Sequence, residues 1–318
     1  MTQNNYMLLK DLPFFDLSGR DFVKATGAWV NNTLTLSEKL DLYQDILESP
    51  DLETNDEQID NIYSSQLESK YQSVKKMGSC FYNIKKKGLS LLHCNTRSLA
   101  KNLNLLNDII YSVRETPSII AISETKLNVN SCANISISGY NFLGANSKSK
   151  SGGVGLYISN DIQYIKRPDL DLSLNDAESC WIEVPRDKAK NIIIACIYRH
   201  PSSNIADFMT ILESKLSELQ GKGHEIIILG DININFLNYN MDNPTSEYLD
   251  MLLNIGMMPV ITKPTRITDH SATLIDHIYT NIPEKVSKSG ICLADISDHL
   301  PVFCTIQSKF HVHVQIVL

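Results

Sequence analysis

Eight apolar runs of five to eight residues, each followed by an amphipathic or polar stretch, dominate the chain from residue 88 onward. They are 89–94, 118–123, 153–159, 179–184, 191–198, 225–229, 273–279 and 301–306. Their length and β-branched content predict strands rather than buried helices. The intervening stretches repeat at helical spacing. One stripe is Leu99, Leu103, Leu106, Ile110 and Val113; another is Ile205, Phe208, Leu212, Leu216 and Leu219, stopped by Gly221. A third begins at Asn243-Pro244, a cap with proline at the first helical position, and ends at Gly256. Strands and helices mixed in this way predict a single α/β domain of layered sheets with outer helices.

Composition narrows the class. The chain has 318 residues, 43% hydrophobic and 20% charged, which excludes global disorder, collagen and coiled coil. No apolar run approaches the roughly 18 residues of a spanning helix. The start, MTQNNYMLLKDLPFF, lacks the apolar stretch of a secretory signal. The expectation is a soluble intracellular protein, nuclear and/or cytoplasmic, with no membrane partner. The seven cysteines never form C-x-x-C, and Cys94, Cys196 and Cys304 lie in strand-like runs. Buried reduced thiols are expected, not a disulfide framework or a zinc site.

A net charge of −7 argues at first against a phosphate-rich partner. Yet nine acidic residues and the single basic residue Lys39 fall between Glu38 and Asp60, so the rest of the chain is slightly positive. Residues 1–87 read as an acidic and polar, weakly folded extension, with one short helix capped by Ser37 and ending near Pro50. Residues 88–308 are the expected domain, and 309–318 a tail.

The apolar runs end in polar residues of particular types: Asn95, Glu124, Tyr198-Arg199-His200, Asp231 with Asn233, and Asp276-His277, while Ser297-Asp298-His299 opens the last run. Strand ends form the ligand rim of α/β folds. Each carboxylate taken singly reads as a cap or turn residue. Together they predict one acid-rich, oxygen-lined pocket containing an imidazole. Asp231 and Asn233 are expected on one side of an extended segment. Ser151-Gly152-Gly153-Val154-Gly155 lacks the lysine of a phosphate-binding loop and reads as a turn entering a strand. His311 and His313 read as a strand edge.

LLHCNTRSLAKN (91–102), IIAISETKL (119–127), SGGVGLYIS (151–159), IYRHP (197–201), LGDININ (229–235), KPTR (263–266), LIDHIYTN (274–281) and SDHLPVF (297–303) resemble, in order, the endonuclease/exonuclease/phosphatase superfamily. Their wording looks most like the apurinic-type endonuclease domain of LINE-class, non-LTR retrotransposons. The resemblance implies a four-layered α/β sandwich of two packed mixed β-sheets flanked by helices, with a partly ordered N-terminal extension. It implies a Mg²⁺-dependent phosphodiester hydrolase, Mn²⁺ being a plausible substitute, that nicks one strand of DNA to leave a 3′-OH. By the same resemblance Asn95, Glu124 and Asp298 are metal residues. Asp231 and Asn233 serve the attacking water, Tyr198 stands near the scissile phosphate, and His299 contacts it, held by Asp276. Arg97, Arg199, Thr265 and Ser297 are the expected substrate or phosphate contacts. His277 stands where an aromatic residue is common. Such domains precede a reverse transcriptase, so that enzyme and an element RNA are partners if the chain belongs to a longer polyprotein. No polymerase motif occurs before Leu318, which implies a truncated element, a domesticated gene or a partial gene. Another phosphoesterase of the superfamily, and a silent remnant that only binds, are the competing readings.

Overall fold

The structure, a computed structural model, describes residues 69–84, 88–127, 134–145, 147, 152–172, 174, 177–186, 189–268 and 271–307. The acidic segment 38–60, the tail 309–318 and the pair His311 and His313 lie outside the described residues. In chain order the first elements are β1 (Lys70–Ser73), α1 (Val74–Ile84), β2 (Gly88–Asn95), α2 (Leu99–Ser112), β3 (Ile119–Ser123), β4 (Tyr140–Ala145), β5 (Val154–Ser159), β6 (Ile165–Lys166) and β7 (Ala177–Val184). They are followed by β8 (Ile192–Arg199), α3 (Ile205–Gly221), β9 (Glu225–Asp231), α4 (Asn243–Asn254), β10 (Met258–Pro259), β11 (Arg266–Thr268), β12 (Ser271–Thr273), β13 (Asp276–Thr280), β14 (Val286–Leu293) and β15 (Val302–Gln307).

Two mixed sheets face each other. One has seven strands in the order β1-β14-β15-β2-β3-β5-β4, the other six in the order β10-β13-β9-β8-β7-β6, and β11 and β12 form a separate hairpin. Because side chains alternate along a strand, each central strand splits its apolar residues between two interfaces. In β2, Leu89 and Leu91 face the opposite sheet, whereas Leu92 and Cys94 face helices. The inner layer joins them to Ile119, Ala121, Val154, Ile194, Cys196, Ile227 and Leu229. On the outer side of the seven-stranded sheet, Met77 and Phe81 of α1 and Leu106 and Ile110 of α2 meet Ile120, Tyr157 and Phe303. On the other side, Phe208 of α3 and Tyr248 of α4 pack together, and Tyr248 reaches Tyr279 of β13. This is the four-layered α/β sandwich expected from the sequence.

The domain begins before residue 88. β1 pairs in parallel with β14, and Tyr71, Met77, Phe81 and Ile84 are buried. Ser69 donates from its hydroxyl to the Val260 carbonyl (2.9 Å), and the Tyr71 hydroxyl donates to the Pro264 carbonyl (2.9 Å). The segment reads only as polar in the sequence because its four buried apolar side chains are scattered singly among polar and charged residues. The run at 273–279 is not one strand. Leu274 and Ile275 turn away from the ladder, their amides held by Asn235 Oδ1 (2.9 Å) and Thr265 Oγ1 (3.3 Å). The cap of α4 is Asp242, one residue earlier than expected, its carboxylate accepting from the Thr245 amide at 3.1 Å. The six described cysteines are free, and five of them are buried. Among the described residues no helix is long and apolar enough to cross a membrane.

Candidate active site

Two of the parallel pairs, β2 with β3 and β8 with β9, are joined by a crossover helix, and both end at the same rim. In such folds the crevice beyond the carboxyl ends of parallel strands is where ligands bind. Asn95 closes β2 and Glu124 follows β3. Across the layer, Tyr198, Asp231 and Asp276 stand in one register row of β8, β9 and β13. Gly230 lets β9 run close to β8 just before Asp231: a Cβ there would sit 1.8 Å from the Ile197 carbonyl oxygen. Four non-glycine residues, Arg97, Glu124, Lys126 and Asn233, have φ of 49–53°, and all lie on loops of this rim. Such conformations cost about 1–3 kcal/mol each and persist where surrounding contacts enforce them. The 152–153 turn supplies part of that enforcement, its carbonyls accepting from the Thr125 and Lys126 amides at 3.1 and 2.9 Å.

Asn95 is the hinge between the sheets. Its Nδ2 donates to Glu124 Oε1 at 2.9 Å and to Asp231 Oδ2 at 2.8 Å. His299 Nδ1 lies 2.8 Å from Asp276 Oδ2, which also accepts from Thr265 Oγ1 at 2.7 Å. One oxygen of Glu124, one of Asp231 and a ring nitrogen of His299 fall within 4.8 Å of one another; among the described residues this is the group that could hold a metal ion. Two carboxylates suit a hard divalent cation completed by water and substrate oxygens. Tyr198 is buried and meets the His200 ring edge-on at 6.5 Å.

The electrostatics separate the two aspartates. Burial pushes the Asp231 carboxyl up to about 7, helped by the neighbouring charge of Asp276. Burial acts the same way on Asp276, but His299 beside it outweighs that and holds it below the usual carboxylate range. His299 is disfavoured as a cation by burial, yet the Asp276 carboxylate raises it to about 9. At neutral pH the site therefore holds an imidazolium–carboxylate pair next to a carboxyl whose proton affinity burial has raised.

Several expected contacts have other positions. Asn233 is left-handed, not extended: its amide N–H bonds Asp231 Oδ1 (3.2 Å) and its Nδ2 donates to the Arg199 carbonyl (2.8 Å). Arg199 is buried, and its guanidinium is spent on the carbonyls of Ile232 (2.7 Å), Ser203 (2.8 Å) and Asn233 (2.8 Å) and on Ser203 Oγ (2.7 Å). It holds the 231–233 turn in place of a substrate phosphate. Thr265, fully buried, orients Asp276. Ser297 donates to the Asn95 carbonyl (2.7 Å) and accepts from the His299 amide (3.1 Å). Asp298 is not in the metal group; its carboxylate is spanned by Arg97 (3.1 Å) and Arg266 (2.9 Å). His277 faces away from the site, stacked 5.2 Å from Tyr279 and 4.3 Å from Phe236, with burial lowering it to about 4. Two buried polar residues of the inner face escaped the strand-end pattern. His93 lies two residues before Asn95, and Glu178 stands opposite Tyr198 on β7. For His93 the signal is a polar side chain inside an apolar strand, two positions from Asn95; Glu178 comes to the rim only through its pairing with Tyr198.

Arg199→Met is expected to lower Tm by ~5 °C or more, since it orphans several buried carbonyls. Unchanged Tm with weakened DNA binding would restore the phosphate-contact role.

A model of the Endonuclease/Exonuclease/phosphatase family matches residues 82–299, and the chain belongs to that family. No curated protein matches the chain in sequence. Among solved structures it is similar to the endonuclease domain of TRAS1, a telomere-specific non-LTR retrotransposon (15% identity, TM-score 0.52, covering 70% of this chain and 99% of that one). It is also similar to the AP endonuclease LMAP from Leishmania major (13%, 0.58, 76% and 97%). The APE2 catalytic domain of Xenopus laevis is a third such structure (16%, 0.52, 70% and 93%). At these identities the likeness concerns the fold.

Proposed function

We propose that the chain is a Mg²⁺-dependent DNA endonuclease of the retrotransposon type, cutting one strand to leave a 3′-OH. The observation that carries this reading is the convergence, within 4.8 Å, of Glu124, Asp231 and an imidazole backed by Asp276. A bound Mg²⁺, held by Glu124 and completed by water and substrate oxygens, would neutralise phosphodiester charge and stabilise the leaving oxygen. The chain's own groups do the rest. Asp231, poised near neutrality, takes the proton of the attacking water. The His299 imidazolium donates its Nε2 hydrogen to a phosphate oxygen, and Asp276 fixes that orientation. Asn95 keeps the Glu124 and Asp231 oxygens at a set spacing. Arg97 and Arg266, partly exposed around Asp298, offer contacts to flanking phosphates. A nuclear or cytoplasmic location belongs to the same reading, as does a reverse transcriptase partner if the chain is part of a longer polyprotein.

The full chain is expected to convert supercoiled plasmid to the open circle with Mg²⁺, to do so with Mn²⁺, and to stop with EDTA. Plasmid left intact while 3′-phosphate is released from an oligonucleotide would make it a phosphatase. Cleavage confined to RNA would move the substrate class, and inactivity on all three would favour a silent remnant.

A further inference from the structure

The line of polar side chains behind His299 runs deeper than Asp276. Leu89, Leu91, His93 and Asn95 share the inner face of β2, so the strand that carries Asn95 also places an imidazole in the apolar layer between the sheets. His93 is fully buried. Its Nε2 lies 3.0 Å from Ser123 Oγ on the neighbouring strand. Its Nδ1 lies 3.7 Å from Oδ1 of Asp276, and neither of these two atoms has a hydrogen-bond partner. Buried polar atoms left unpaired are rare because each forfeits its full hydration. Here the two face each other.

The chemistry of the partners selects one arrangement. The ring of His93 has no access to water, which favours its neutral form, so one ring nitrogen carries hydrogen and the other a lone pair. The ionised Asp276 oxygen can only accept, whereas the Ser123 hydroxyl can donate or accept. Hydrogen on Nδ1 gives Asp276 Oδ1 a donor and leaves Nε2 to accept from Ser123. Hydrogen on Nε2 would instead set two lone pairs against each other in a dry interior.

We propose that His93 is a positioning residue of the hydrolytic site: its Nδ1–H holds Oδ1 of Asp276, so that Oδ2 stays turned toward Thr265 and His299. The gap of 3.7 Å closes to a hydrogen bond when substrate tightens the site. Ser123, directly before Glu124, steadies the ring from behind, which couples the strand end bearing Glu124 to the pair that serves the phosphate. The kinetic part of this assignment rests on the role given to His299 above; the tautomer does not.

Two measurements test it on the full chain. Ring ¹⁵N spectra, with His93 identified by the signals missing from His93→Asn, are expected to show hydrogen on Nδ1 of His93. Hydrogen on Nε2 overturns the proposal, whether or not the protein cuts DNA. Asparagine places an amide donor where Nδ1 was, and glutamine places one where Nε2 was. His93→Asn is therefore expected to keep most of the wild-type kcat, while His93→Gln loses about 10-fold or more with KM for plasmid unchanged. Equal losses in two variants of equal Tm would mean that the ring only fills space, and a change confined to KM would also refute the assignment. Wild-type protein that cuts no nucleic acid would overturn the nuclease reading, and the tautomer would still decide this one.

Discussion

Asp231→Asn is expected to slow DNA nicking by about 10²- to 10⁴-fold, the range for loss of a general base, and to make the metal-free protein more stable. The two effects share one cause. Asp231 is buried beside Asp276, and its carboxyl is raised from 3.8 to about 7. A carboxyl raised in the folded state is a cost to folding that is absent below about pH 4, grows from there to about 7 as the unfolded chain ionises first, and is complete above 7. Asparagine keeps the shape and an oxygen for Asn95 while removing the charge that burial and Asp276 oppose. Each tenfold change in proton affinity between the folded and unfolded chain is worth about 1.4 kcal/mol. A gain on the order of 1–3 kcal/mol at pH 8 is therefore expected, fading at pH 4. Thermal melts in EDTA at the two pH values, run beside plasmid nicking in Mg²⁺, check this. An inactive variant that is less stable than wild type at pH 8 would mean that Asp231 is a structural residue.

The same contrast explains what can be read in the sequence. Asn95, Glu124, Asp231, Asp276 and His299 are visible because each ends or opens an apolar run, and strand ends converge in a layered α/β fold. Direction is not visible. Arg199 and Thr265 adjoin rim residues in the chain, but alternation and turn geometry send them inward to carbonyls and to Asp276. Strand alternation predicts an extended Asn233, yet its φ of 53° ends the strand pattern one residue after Ile232. Asp298 carries the residue type of a metal ligand, while the arginines that claim it come from residues 97 and 266, which no local pattern connects. β1 and β14 escape for a different reason. Both carry lysine and serine, and each is recognisable only through the partner it pairs with.

Asp276→Asn is expected to lower kcat by about 10²- to 10³-fold, the scale for losing a charged donor at a developing oxyanion, and to move the alkaline limb of the pH profile. In the wild-type protein, burial opposes charge on His299 and the Asp276 carboxylate overcomes it, which raises the imidazole to about 9. The imidazolium then persists through neutral pH, and nicking falls only as pH rises past that value. With asparagine the burial remains and the largest part of its compensation is gone, only the weaker pull of Asp231 and Asp298 being left, so the limb is expected to fall well below 9 and some activity to return on acidification. Stability follows the same sign. A histidine raised in the folded state contributes stability that is complete below 6.5 and is lost as pH rises through about 9. Urea melts of wild-type protein should therefore weaken between those values, and melts of Asp276→Asn should not. The Thr265 hydroxyl can still bond the amide oxygen, so the turn at 274–276 keeps its anchor and the comparison reads charge, not unfolding. An alkaline limb that stays near 9 in the variant would mean that a group other than His299 sets it, and the imidazole would lose its place at the phosphate.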